Sequence, residues 1–204
     1  MTAFLRTPPW LGPTPVLHGR RLVLRAPAPA DWSQWAELRA SSREFLTPWE
    51  PAWTADELSR EAYRRRLRRY ARDAREAVGY AFFLFAEPGE QLLGGATLSN
   101  LRRGVTQSGQ LGYWMGQTYA GQGYMTEAVA LLLPFAFEEL QLHRMEAACL
   151  PSNERSRRLL LRVGFREEGF ARQYLRIDGA WRDHVLFAML ASDPRPPSPA
   201  RPGG

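Results

Sequence analysis

LGYWMGQTYAGQGYMTEAVALLLPFAFEEL, residues Leu111 to Leu140, changes its hydrophobic period once. Tyr113, Trp114 and Met115 close an apolar, aromatic run suited to a strand. Gly121 and Gly123 then loosen the backbone just before Ala128, Leu131, Leu132, Phe135 and Leu140 recur near helical spacing. The stretch therefore reads as strand, glycine turn and long helix, with Thr126 and Glu127 in the first helical turn. Such a turn leaves unpaired N–H groups at a helix start, where the helix dipole adds to them, and an anion binds there readily. Pro134 removes one donor and crowds the carbonyl of Ala130, so a kink is expected within the helix.

Two familiar anion loops are excluded. A Walker-type phosphate loop needs Gly-Lys-Ser/Thr, and all 27 basic residues counted as Lys plus Arg are arginine. A dinucleotide fingerprint needs a third Gly or Ala where Thr126 stands. The segment Ala120-Gly121-Gln122-Gly123-Tyr124-Met125 resembles the acyl-CoA loop of the GNAT N-acetyltransferases, Gln/Arg-x-x-Gly-x-Gly/Ala. Gly123 fits that pattern; Ala120 and Met125 depart from it.

The resemblance extends from about Arg20 to Leu190 and is nearest to the branch that acetylates the N-terminal alanine of ribosomal proteins. It is carried by the loop extended through Thr126-Glu127-Ala128, by Phe45-Leu46-Thr47-Pro48-Trp49-Glu50-Pro51, by Leu98-Ser99-Asn100-Leu101-Arg102-Arg103-Gly104, by Tyr174-Leu175-Arg176-Ile177-Asp178-Gly179, and by Trp181-Arg182-Asp183-His184-Val185. Met125 is tolerated in that branch. The resemblance implies an α/β (α+β) acetyltransferase fold, a mixed, mostly antiparallel seven-stranded sheet flanked by four helices. In that fold the strand ending at Met115 and the one ending near Leu150 splay apart around the pantetheine arm.

The chain has 204 residues, enough for one domain with a sizeable core. We divide it into a proline-rich segment 1–19, a catalytic domain 20–191 and a proline-rich tail 192–204 expected to be disordered. No apolar run of about 18 residues occurs, so no membrane span is expected, and prolines interrupt any N-terminal signal pattern. The single cysteine, Cys149, fits a reducing, cytoplasmic setting and reads as a core residue. No metal-ligand pattern appears, and His18, His143 and His184 read as core or surface residues. A net charge of +6 attracts polyanions.

In chain order, Leu22 and Leu24 mark a first strand, and Asp31 is positioned to cap a helix carrying Trp32, Trp35 and Leu38. A second helix opens at Thr54 or Asp56 and runs to Glu76. Its run Arg64-Arg65-Arg66-Leu67-Arg68-Arg69 reads either as a solvated face or as an RNA or ribosome contact, here assigned to the arginine-rich helix 60–75. Strands follow at 80–86 and 92–98, with a turn at Pro88-Gly89 and a weak point or bulge at Gly94-Gly95. His143 to Leu150 reads as a buried strand. Asn153 caps the next helix, Gly164 ends it, and a hairpin folds about Asp178-Gly179.

Acetyl transfer from acetyl-CoA to an amine needs the pyrophosphate held, the carbonyl polarised, the amine neutral and the thiolate released. The loop residues Gly121, Gln122, Gly123, Tyr124, Met125 and Thr126 are candidates for the first task, through their N–H groups. The resemblance places the polarising N–H at Met115, pantetheine contacts at Trp114, Met115 and Asn153, and a sulfur-side hydroxyl at Ser156, one turn from Asn153. A plain first-turn serine is the competing reading for Ser156. Arg155, Arg157 and Arg158 read as surface charge or as CoA phosphate contacts. Trp49, Glu50 and Asn100 are the candidate acceptor-binding residues, and Glu50 or Asp183 could take a proton through water. Many relatives place a glutamate near position 110, where this chain has Gln110. An α-amine is roughly a tenth neutral at pH 7, against well under a thousandth for lysine. A weak base therefore suits an N-terminal acceptor. The reading is an N-terminal acetyltransferase for a ribosomal protein's alanine, with a small-amine acetyltransferase and a non-catalytic ribosome- or RNA-binding protein as the alternatives.

Overall fold

The computed structural model describes residues 14–87 and 91–195. The Pro88-Gly89 turn and the end of the proline-rich tail lie outside the described residues. Among the described residues one sheet of eight strands runs in the order β1-β2-β3-β4-β5-β6-β8-β7. The strands are β1 (Leu17–His18), β2 (Leu22–Arg25), β3 (Tyr80–Ala86), β4 (Leu92–Arg102), β5 (Ser108–Met115), β6 (Arg144–Cys149), β7 (Arg166–Ile177) and β8 (Ala180–Leu190). The helices are α1 (Trp32–Ser41), α2 (Arg43–Leu46), α3 (Arg60–Arg75), α4 (Tyr124–Pro134) and α5 (Glu154–Arg162). The expected seven strands and four helices thus become eight and five among the described residues. The additions are the two-residue β1 paired to β2 and the single turn α2 after Ser42.

Alternation along the strands divides the sheet into two faces. Tyr80, Phe82 and Leu84 of β3 pack with Ala128, Val129 and Leu132 of α4 and Leu160 of α5 in the larger core. Phe83, Phe85 and Leu92 pack on the other face against Trp35 and Leu38 of α1 and Tyr63 of α3. The helix pair α1 and α3 and the pair α4 and α5 therefore cover opposite faces.

Several local expectations are corrected by competing contacts. Asp31 does not cap α1: its carboxylate turns back to Arg25 at 2.7 Å and accepts from the Ala28 N–H at 2.7 Å. The second helix begins at Arg60, not near Thr54, because the Ser59 hydroxyl accepts from the Ala62 N–H at 3.0 Å, while Asp56 pairs with Arg65. The strand expected from His143 to Leu150 is not buried throughout. It begins at Arg144, and only Met145, Ala147 and Cys149 point into the core, as one strand face must.

Other expectations hold. Asn153 caps α5, its Oδ1 accepting from the Ser156 N–H at 3.1 Å, and Gly164 follows that helix with φ +101°. Asp178 and Gly179 both take positive φ, as a two-residue hairpin turn requires. The register of β3 with β4 slips between Leu84 and Phe85, where Leu93, next to Gly94, is passed over. After Pro134 the ladder changes from α to π over Phe135–Glu139, where the Leu140 N–H donates to the Phe135 carbonyl at 2.9 Å. The proline thus shifts the hydrogen-bond register of the helix at the next residue.

Candidate functional site

The Gly121–Gly123 turn and α4 sit at the mouth of a split sheet. Strands β5 and β6 are the parallel pair, and they register only at Ser108/Arg144, Gly109/Met145 and Gln110/Glu146. Beyond Gln110 they part. The Gly116 N–H donates to the Leu93 carbonyl at 2.9 Å, and Met115 stands opposite Gly94. That makes Gly94/Met115 a non-hydrogen-bonded antiparallel pair, whose peptide groups point away from each other. The same alternation applies to Tyr113 opposite Ala96. The N–H and C=O groups of Tyr113 and Met115 therefore face the gap vacated by β6, an unpaired strand edge able to bond an extended amide-bearing chain.

At the end of this gap Gly123 takes φ +83° and starts α4, with no side-chain cap. The first intrahelical bond closes from the Glu127 N–H to the Gly123 carbonyl at 3.1 Å. The N–H groups of Tyr124, Met125 and Thr126 are left for an external acceptor. Residue Met125 itself is buried in the core, so it contributes backbone only.

On the α5 side of the gap, Ser156 Oγ and Tyr113 Oη share a hydrogen bond of 2.7 Å. Burial pushes the Tyr113 phenol up, and the bond to Ser156 offsets this in part, so the phenol stays protonated at neutral pH. The Cys149 thiol is also pushed up by burial, and it too contacts Ser156. Sequence reasoning missed Tyr113 as a site residue. It appeared there only as part of an aromatic strand; the signal was its alternation with Met115 on one strand face.

The opposite face of the sheet holds a cavity of about 580 Å³. Its floor is formed by β3, β4 and β5, including Thr97, Ser99 and Gly112, and its walls by α1, α3 and the segment around Glu50. Glu50 and Asn100 line it; Trp49 does not, and stands 36% exposed. Glu50 Oε1 accepts from Arg39 Nη2 at 2.9 Å and from Trp53 Nε1 at 2.8 Å. Arg39 is 4% exposed and lies against the rings of Trp53 and Trp114, 4.5 and 5.2 Å from their centroids. Asn100, with φ +50° at a slip in the β4–β5 register, donates from Nδ2 to Gln110 Oε1 at 2.6 Å. The tip of the β7–β8 hairpin is tied to this wall, the Asp178 N–H donating to the Glu50 carbonyl at 3.0 Å.

Two expectations move accordingly. Trp114 forms a hydrogen-bonded pair with Gly95 in the alternation above, so its peptide groups face β4 and not the gap. Its indole lies on the cavity face, with Nε1 only 2.5 Å from where a Cβ on Gly95 would sit. Asp183 accepts from the Gln173 N–H at 2.8 Å within the hairpin and is absent from the cavity lining. His184 is 2% exposed and its Nδ1 lies 3.0 Å from the Arg182 carbonyl, a core position. Among the described residues, no group of three or more His, Cys, Asp or Glu side chains converges to hold a metal ion, and no helix is long and apolar enough to cross a membrane.

Residues 21–166 match the family model described as "Acetyltransferase (GNAT) domain". The chain is a GNAT acetyltransferase. It is 36% identical over 173 residues to the [Ribosomal protein uS5]-alanine N-acetyltransferase of Escherichia coli K12, covering 85% of this chain and 89% of that protein. It is 33% identical over 178 residues to the probable N-acetyltransferase YjcK of Bacillus subtilis 168, covering 87% of this chain and 98% of that one. Mycobacterium smegmatis RimJ, solved in complex with CoA-disulfide, superimposes with a TM-score of 0.82 at 33% identity, covering 91% and 90% of the two chains.

The family assigns the GNAT acetyltransferase its acyl donor, acetyl-CoA, and its reaction, N-acetylation. The residues present suit that donor. A thioester arm carrying two amides and ending in a diphosphate matches an open strand edge that leads to an uncapped helix N-terminus.

Proposed function

We propose that this acetyltransferase acts on the α-amine of a protein N-terminus, an alanine of a ribosomal protein. The observation that carries the reading is the charge of the acceptor cavity. Its lining holds Arg39, Arg66 and Arg69 with two carboxylates, Glu50 and Asp73; Arg39 is paired with Glu50, and Arg66 with Glu57 beside the lining. A polyamine or aminoglycoside would bring several positive charges into a lining that holds only two carboxylates, one of them already paired with Arg39. A single ammonium followed by a peptide carbonyl is the better complement. Glu50 Oε2 accepts no hydrogen bond among the described residues, whereas Oε1 takes two. Glu50 receives the ammonium through Oε2, and Arg39 donates to the first carbonyl of the acceptor. The names of the relatives, which include ribosomal-protein acetyltransferases for alanine and for serine, support the same acceptor class.

The chemistry then divides between the two sides of the split sheet. Glu50 and water relieve the ammonium of its proton, a small demand for an α-amine. The amine nitrogen attacks the thioester carbonyl, whose oxygen the Met115 N–H stabilises as charge builds on it. The nitrogen gives its surplus proton to water, the carbon–sulfur bond breaks, and the sulfur departs as a thiolate that accepts a hydrogen bond from Ser156. Asn153 Nδ2, free because capping uses only Oδ1, holds a pantetheine carbonyl together with the Tyr113 and Met115 edge. Loop residues Gly121 through Thr126 hold the pyrophosphate.

The acceptor is presented on a ribosomal particle. Helix α3 lines the cavity with Arg66, Arg69, Tyr70 and Asp73, while Arg64, Arg68, Arg72 and Arg75 recur on its outer side at i, i+4, i+8 and i+11. Successive helical turns rise about 5.4 Å, close to the spacing of phosphates along RNA.

Thioester consumption should be measured with an alanine-initiated ribosomal peptide, the same peptide N-blocked, a lysine peptide and small amines. Turnover of the free alanine peptide alone is expected. Turnover confined to small amines overturns the acceptor assignment.

A further inference from the structure

The pyrophosphate loop carries a carboxylate that ought to repel its ligand. Glu127 lies in the first turn of α4, four residues after Gly123, and is 7% exposed. Both its oxygens are taken by one residue from the far end of the sequence. The Arg21 backbone N–H donates to Oε1 at 2.8 Å, and Arg21 Nε donates to Oε2 at 2.9 Å. The approach is close enough that a Cβ on Gly19 would fall 2.7 Å from Oε1.

The same guanidinium reaches the loop itself. Arg21 Nη1 donates to the Gln122 carbonyl at 3.1 Å, and the guanidinium carbon lies 4.6 Å from the centre of the Tyr124 ring. A trans peptide points its C=O and the following N–H in opposite directions. Holding the Gln122 carbonyl toward Arg21 therefore turns the Gly123 N–H to the other side, away from the arginine. Position 120, where the loop pattern of the relatives has a long polar side chain, is alanine and cannot brace the loop.

We propose that Arg21 is the positioning residue of the CoA diphosphate site. It orients the Gln122–Gly123 peptide so that the loop N–H groups converge on the diphosphate, and it neutralises Glu127 so that the carboxylate does not repel that anion. The inference rests on the seating of the diphosphate at the α4 N-terminus.

The test compares two acyl donors, acetyl-CoA and acetyl-pantetheine, which lacks the diphosphate. For Arg21→Gln the ratio of kcat/KM with acetyl-CoA to kcat/KM with acetyl-pantetheine should fall ten- to a hundredfold, with the loss in KM for acetyl-CoA. The dissociation constant of CoA, read by titration calorimetry, should rise by the same factor. Adding Glu127→Gln to Arg21→Gln should recover CoA affinity at least fivefold, because the uncompensated negative charge is then gone. A merely structural ion pair predicts the reverse: both donors decline together, the ratio stays within twofold of the parent, and the double variant is no better than the single. Either result overturns the proposal. Arg21→Lys, which keeps the charge while losing the fork, should lie between parent and Arg21→Gln and serves if the glutamine variant does not fold. Gly123→Trp separates the two levels of inference. Its loss of CoA binding beside an unaffected Arg21→Gln overturns the role of Arg21 alone; unchanged CoA binding in both variants removes the diphosphate from this loop.

Discussion

Replacing Ser156 by alanine removes the hydroxyl that hydrogen-bonds Tyr113. Its Oγ lies 2.7 Å from Tyr113 Oη, and burial keeps that phenol protonated. Tyr113 can therefore donate to Ser156, leaving the serine proton for the sulfur that becomes negative as the carbon–sulfur bond breaks. Hydrogen bonds to charged partners contribute about 1.5–3 kcal/mol, and each 1.36 kcal/mol is tenfold in rate. Ser156→Ala should accordingly lower kcat roughly ten- to a hundredfold. KM for acetyl-CoA should change less than about twofold, because the charge on sulfur exists only in the transition state. Tyr113→Phe should lower kcat less, by about three- to tenfold, since it weakens the serine's bond without removing it. The double variant should be no slower than Ser156→Ala alone, because the two act in series. Single-turnover kinetics with acetyl-CoA and an alanine-initiated peptide would measure all four enzymes. An unchanged kcat in Ser156→Ala, or additive losses in the double variant, would refute the relay.

Asn153→Ala removes the α5 cap, and should cost about 1 kcal/mol in urea denaturation while also weakening CoA binding. Arg39→Ala leaves Glu50 without its ion-pair partner beside the cavity; because Glu50 retains partial solvent access, the loss should be about 2 kcal/mol, below the 3–5 kcal/mol typical of a fully buried pair. The same variant should raise KM for the acceptor peptide and leave KM for acetyl-CoA alone. Paired Arg64→Glu and Arg68→Glu changes should slow acetylation of a ribosomal particle at least tenfold and leave the free peptide's rate within twofold; equal rates on both substrates would remove RNA from the reading. Lowering the pH from 8 to 6 should slow the parent enzyme by the shrinking neutral fraction of the α-amine, about tenfold per pH unit below its pKa, and a flat profile would argue against α-amine deprotonation by water or a weak base.

The strand, glycine turn and helix of residues 111–140 were legible because each rests on local physics: an aromatic run, two glycines and a 3.6-residue repeat. The left-handed Gly123 and the uncapped first turn of α4 follow directly from that stretch. The caps were legible only where no stronger partner competed. Asn153 caps α5, but Asp31 is drawn to Arg25 instead, and that guanidinium arrives from a neighbouring strand that local spacing does not reveal.

What the amino-acid order determined by itself is the seven longer strands and four longer helices, the donor class and the absence of lysine chemistry, since each depends on residue identity or on contacts within a few positions. Only the tertiary structure decided which groups meet. Tyr113 reaches Ser156 across 43 positions, and Arg21 reaches Glu127 across 106. The same long-range packing sends the Trp114 indole to the cavity face while the Met115 N–H faces the gap between β5 and β6. Neighbouring residues on β5 face different sides of the sheet because side chains alternate across it, and an edge of β5 is left open because β6 departs from it beyond Gln110. Where that separation begins depends on how β6 packs against β8, a pairing with Val185 to Leu190 that lies far along the chain.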